Sequence, residues 1–134
     1  MAKTELEVRT KQFALDLIDL VERLPAGRAG YVVGRQLLRS GTSIGANYRE
    51  ANRAESKNDF IHKVGISTKE AAETEFWLEL VAESKHLKTT GSSEVLSESR
   101  ELLAILISIG RNSKKNAGKS GSGKVESGNA RETL

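Results

Sequence analysis

The chain has 134 residues, one proline, no cysteine and a formal net charge of +3. That length suits one domain with a sizeable core, and the absence of cysteine excludes disulfides, thiolate zinc sites and thiol chemistry. No apolar run nears the roughly 20 residues of a membrane span, and the opening MAKTELEVRT lacks the apolar stretch of a secretory signal. A soluble, cytoplasmic, mostly α-helical protein is expected, because only Pro25 removes a backbone donor.

Leu6, Phe13, Leu17, Leu20 and Leu24 recur at helical spacing and predict an amphipathic first helix over about residues 4–24. Leu24-Pro25-Ala26-Gly27 breaks it, and a second helix is expected over about 28–54. Ser56 and Asp59 form a variant capping box that opens a third helix, read through about Lys88, with Phe60, Val64, Ala71, Leu78 and Ala82 on one face. Gly91 is the expected helix stop and Ser92 or Ser93 the next cap. Val95, Leu102, Leu106 and Ile109 then mark a fourth helix over about 93–115. Four helices with short connections predict an all-α, antiparallel up-down-up-down four-helix bundle over residues 1–115. From Asn116 the composition turns to glycine, serine and lysine, and residues 116–134 are expected to be disordered. Gly118, Gly123 and Lys124 have the spacing of a phosphate-binding loop. Val125 follows where such a loop needs Ser or Thr, and no strand precedes it, so the match is rejected.

The charge is segregated. Residues 111–134 hold six basic residues against two acidic, and residues 28–57 again six against two, whereas residues 58–110 hold nine acidic against five basic. At 100° per residue, Arg28, Arg35, Arg39, Arg49 and Arg53 fall within an arc of about 80° on the second helix. Val33, Leu37, Ile44, Tyr48 and Ala51 lie on the opposite side. Gly30, Gly34, Gly41 and Gly45 form a third band. Each of these glycines costs about 1 kcal/mol of helix propensity, which suggests either close approach of another backbone or a break near Gly41. Arginine in preference to lysine offers planar, bidentate contacts to carboxylate or phosphate. The partner is therefore either a carboxylate of the third helix (Glu70, Glu73, Glu75, Glu79) or nucleic-acid phosphate.

Two segments are more apolar than one core stripe requires: Leu102 to Ile107, and Phe76 to Val81 around Glu79. Phe76, Trp77, Leu80 and Leu87 project away from the core stripe, and Leu103 and Ile107 supply a second face, so association with copies of the same chain is expected. The alternative is that these ends are the deeply packed half of the bundle. Asp59-x-x-His62 and Glu83-x-x-His86 look like metal-binding pairs, yet on one helix they stand about 36 Å apart and cannot share an ion. No metal, cofactor or catalytic constellation is expected, and the chain is read as not an enzyme. Glu75, close to the apolar stripe, needs a partner, and an arginine of the second helix is the candidate.

Ser43, Ile44, Asn47 and Glu50, followed by Glu73, Glu75 and Leu78, resemble the motif of the four-helix proteins encoded in 23S rRNA intervening sequences. The resemblance covers about residues 8–115, and the glycine-rich tail departs from it. That family is similar to the accessory variability protein of diversity-generating retroelements, a basic pentamer that binds nucleic acid and a reverse transcriptase. The resemblance thus implies a ring-like homo-oligomer, a homopentamer, with nucleic acid (including rRNA) and a reverse transcriptase or another protein as partners. Together with the charge pattern it leads to a nucleic-acid-binding bundle contacting phosphate through Arg28, Arg35, Arg39, Arg49 and Arg53. The competing expectation is a protein-interaction scaffold whose arginines close salt bridges.

Overall fold

The computed structural model describes residues 3–120. Four helices follow one another, α1 (Lys3–Glu22), α2 (Arg28–Asn52), α3 (Lys57–Glu83) and α4 (Ser92–Ser120), and no strand occurs among the described residues. The apolar stripes read from the sequence form one core. Leu6, Phe13, Leu17 and Leu20 of α1 meet Leu37, Ile44 and Tyr48 of α2, Ala71 and Leu78 of α3, and Leu102 and Leu106 of α4. Burying a side chain of this size stabilises by about 1.5–3 kcal/mol. Each helix touches its neighbours in sequence, and α1 meets α4 to close the square. Paired residue numbers rise along one helix as they fall along the next: Thr10 faces Gly45 and Val21 faces Gly34. Ser67 donates to the Ile44 carbonyl and Thr74 lies 2.8 Å from Ser40. Between α3 and α4, Val64 adjoins Gly110 and Glu79 adjoins Arg100.

Three boundaries differ from expectation. α3 ends at Glu83, not Lys88, because Ser84 leaves helical geometry (φ −84, ψ 130) and its hydroxyl accepts the His86 N–H at 3.1 Å. Leu87 then folds back, 97% hidden in the core rather than on an outer face. With the helix ending here, Val81 takes the last core position, Ala82 is exposed and Phe60 is only half-buried. α4 continues to Ser120, through the first residues of the tail expected to lack structure. Residues 121–134 lie outside the described residues, and with them most of the phosphate-loop-like spacing.

α2 is unbroken at Gly41. The glycine band is the seat of α1: a Cβ at Gly34 would stand 3.1 Å from Val21 Cγ1, and one at Gly45 would stand 3.0 Å from Thr10 Oγ1. At Gly41 it would fall inside the van der Waals envelope of Leu17 Cδ2, and at Gly30 it would strike the Pro25 carbonyl. Gly27, at the start of α2, has φ 137, a backbone conformation that a side chain rarely permits.

Ser99 is fully buried on α4, and its hydroxyl has no hydrogen-bond partner among the described residues. An unpaired buried hydroxyl costs on the order of 1–3 kcal/mol. Ser99→Ala is therefore expected to raise the unfolding free energy by about 1 kcal/mol in chemical denaturation. A loss of stability would mean that the hydroxyl is satisfied after all.

Candidate nucleic-acid interface

The five arginines singled out on α2 all lie on its exposed side, but they do not share one environment. Arg39 is engaged by α3. Its guanidinium pairs with Glu73 and has Glu70 Oε1 at 3.5 Å, while its Nε donates to Gln36 at 3.0 Å. Glu73 also accepts from Trp77 Nε1 at 2.9 Å, so one carboxylate joins an arginine expected at phosphate to a tryptophan expected at a subunit boundary. Arg49 stands 3.9 Å from Glu7 of α1. Arg28, Arg35 and Arg53 have no carboxylate partner among the described residues. Arg35 instead lies over the ring of Tyr31, with Cζ 5.8 Å from the centroid. Arg53 is the residue just past the end of α2, so the uncompensated charge sits at the two ends of the helix, about 37 Å apart.

Among the motif residues Ile44, Glu50, Glu73 and Glu75 join helices, while Ser43 and Asn47 bond within α2. Ile44 is fully buried, and its carbonyl accepts the Ser67 hydroxyl at 2.7 Å. Ser43 donates back to the Arg39 carbonyl at 2.7 Å, and Asn47 donates to the Ser43 carbonyl at 2.9 Å. Glu50 accepts from Lys63 at 2.8 Å across the α2–α3 seam, and this hydrogen bond holds its carboxyl below the ordinary value. Glu75 pairs with Arg100 of α4 at 2.8 Å, not with an arginine of α2, because its side of α3 faces α4. Arg100 also reaches Glu79 at 2.9 Å, and the two carboxylates raise the guanidinium pKa above its usual value. Arg9 plays the same part between α1 and α4, bonded to Glu98 at 2.6 Å and Glu101 at 2.5 Å. Neither Arg9 nor Arg100 stands out in the sequence, since each is a lone cation whose partners are distant in the chain. Exposed pairs of this kind are each worth roughly 0.2–1 kcal/mol.

Of the residues expected at a subunit boundary, Phe76 and Ile107 are 51% and 40% exposed, while Trp77 and Leu103 pack against the core of their own chain. Leu80 is half-buried. The sequence reading missed the apolar stripe on the outer side of α1, where Val8, Leu15 and Ile18 are 69%, 47% and 41% exposed. Their spacing of seven and three residues was the available signal. His62 and His86 are both exposed, on α3 and in the loop after it. Among the described residues no group of three His, Cys, Asp or Glu could hold a metal ion, and no helix is long and apolar enough to cross a membrane.

No curated protein matches this chain. It is similar to the crystal structure of a protein of unknown function from the S23 ribosomal protein family of Bacteroides thetaiotaomicron. The two share 39% identity over 83% of this chain and 99% of the other, with a TM-score of 0.74. The family model for the 23S rRNA-intervening sequence protein matches residues 3–108, which include all the motif positions described above. The chain belongs to the 23S rRNA-intervening sequence protein family.

Proposed function

We propose that this protein is a non-enzymatic, antiparallel helical bundle that assembles with copies of itself and binds structured RNA or DNA through the outer side of α2. The observation that carries this reading is the uncompensated charge of Arg28, Arg35 and Arg53, which are exposed and without carboxylate partners among the described residues. Guanidinium groups free of internal partners are available to phosphate. Arg111 and Lys115 on α4 are exposed as well and add to the positive charge of the bundle. Assembly into a ring, a pentamer as the family resemblance implies, is supported by the exposed Val8, Leu15 and Ile18 together with Phe76 and Ile107. Arg39 and Arg49 favour a second reading for two of the five arginines, that of a scaffold whose cations close salt bridges within the bundle.

Single charge reversals separate the two roles. Arg35→Glu is expected to weaken RNA binding and to lower the melting temperature less than Arg39→Glu does, because it gives up only an exposed contact with the Tyr31 ring. Arg39→Glu sets a third carboxylate beside Glu70 and Glu73. It is expected to cost about 1 kcal/mol, a fall of roughly 4 °C in a bundle of this size. Equal effects of the two reversals on RNA binding, with no difference in melting, would contradict this division of labour.

A further inference from the structure

Tyr31 is 66% exposed and its neighbour Val32 is 52% exposed, on a helix whose Val33, Leu37, Ile44 and Tyr48 are in the core and whose Leu38 is half-buried. Nothing in the packing of the bundle requires an aromatic ring there. Arg28 precedes Tyr31 by three residues and Arg35 follows it by four, so all three project from the same side of α2. The Arg35 guanidinium covers the ring at 5.8 Å from its centroid. The first turn of α2 holds no acidic residue, and neither arginine has a carboxylate partner among the described residues. This is the one place on α2 where an exposed ring and unneutralised cations coincide.

We infer that Tyr31 is a stacking platform for an unpaired nucleobase, with Arg28 and Arg35 holding the flanking phosphates. The inference rests on the nucleic-acid reading above and narrows it to single-stranded segments, such as loops or free ends. A guanidinium over one side of an aromatic ring is held there by the ring quadrupole. The opposite side is left to a second flat π-system. A base offers its face only when unstacked from its neighbours, so the bases within a duplex cannot occupy the platform. Stacking of this kind tolerates any base, which suits a surface that carries no hydrogen-bonding device for reading base edges. Arg28 and Arg35 match the charge of a backbone that runs past the ring.

The test compares a fluorescein-labelled oligouridine with a blunt RNA duplex of the same length, each titrated with full-length wild type, Tyr31→Ala and Tyr31→Phe at low salt. Tyr31→Ala is expected to lose about 5- to 100-fold in affinity for oligouridine and to keep its duplex affinity, while Tyr31→Phe keeps both. An exposed ring can be removed without unfolding the bundle, and unchanged melting curves check that. Unaltered oligouridine binding by Tyr31→Ala overturns the platform while leaving nucleic-acid binding intact. An equal loss for both RNAs overturns it too, because the ring would then act on the backbone alone. Loss of self-association with RNA binding preserved would assign the patch to contacts between copies and overturn it. Failure of the wild type to bind either RNA would overturn the broader reading and this one with it.

Discussion

Gly41→Ala is expected to destabilise the protein by about 1–2 kcal/mol, although alanine is the better helix former by about 1 kcal/mol. The new methyl group would collide with Cδ2 of Leu17, a side chain with no solvent exposure. Thr74 Cγ2 bounds the same space at 3.7 Å, so the group cannot be relieved toward α3. Overpacking a closed site costs about 1–3 kcal/mol and outweighs the gain in propensity. Gly65→Ala is the internal control. A Cβ there meets nothing within 4 Å, and the residue is exposed in the middle of α3. That substitution is expected to stabilise by about 0.5–1 kcal/mol. Chemical denaturation of the two variants should move the midpoint in opposite directions. A Gly41→Ala midpoint that rises along with that of Gly65→Ala would mean that α1 does not rest on the glycine band as described.

The second large effect concerns function. Arg28→Glu combined with Arg35→Glu is expected to lower affinity for a structured RNA by about 10- to 100-fold at low salt, and to flatten the salt dependence by roughly two contacts. Neither side chain has a carboxylate partner to lose among the described residues, so melting should move little, the lost Arg35–Tyr31 contact being opposed by the favourable acidic charge at the start of α2. The contrast with Arg39 matters here. A loss of binding at Arg39 would be confounded by the loosened α2–α3 seam, where Glu73 also holds the indole of Trp77. Retention of full affinity by the double reversal would move the binding surface elsewhere, to the basic end of α4 or beyond the described residues.

Much of the fold was legible because it depends on period. The stripes Leu6–Leu20, Leu37–Ile44–Tyr48 and Leu102–Leu106 recur at helical spacing, and each is buried. The glycine band on α2 was legible as a band for the same reason, but its spacing allowed either a close approach or a break near Gly41, and the choice of α1 as its neighbour is a fact of tertiary structure. The end of α3 was not legible. Residues 84–88 contain no proline or glycine, and the helix end shows only in the extended backbone and local hydrogen bond of Ser84 and in the burial of Leu87. The partners of charged residues were the least legible feature. A helical wheel places five arginines along one side, but it cannot say that Glu70 and Glu73 come up beside Arg39 while nothing among the described residues does so at Arg28. Glu75 shows the same limit. Its need for a cation followed from its place near the core, whereas the choice of Arg100 depended on which neighbour its side of α3 faces.

These points converge on one quantity, the number of phosphates engaged by α2. Fluorescence anisotropy of a labelled structured RNA, titrated with the full-length protein across a salt series, measures it directly. With three uncompensated arginines on each chain, the logarithm of affinity should fall against the logarithm of salt concentration with a slope of about −2 to −3 for each subunit engaged. Absence of binding at about 50 mM salt, or binding that does not change with salt, would contradict the assignment of the outer side of α2 to nucleic acid.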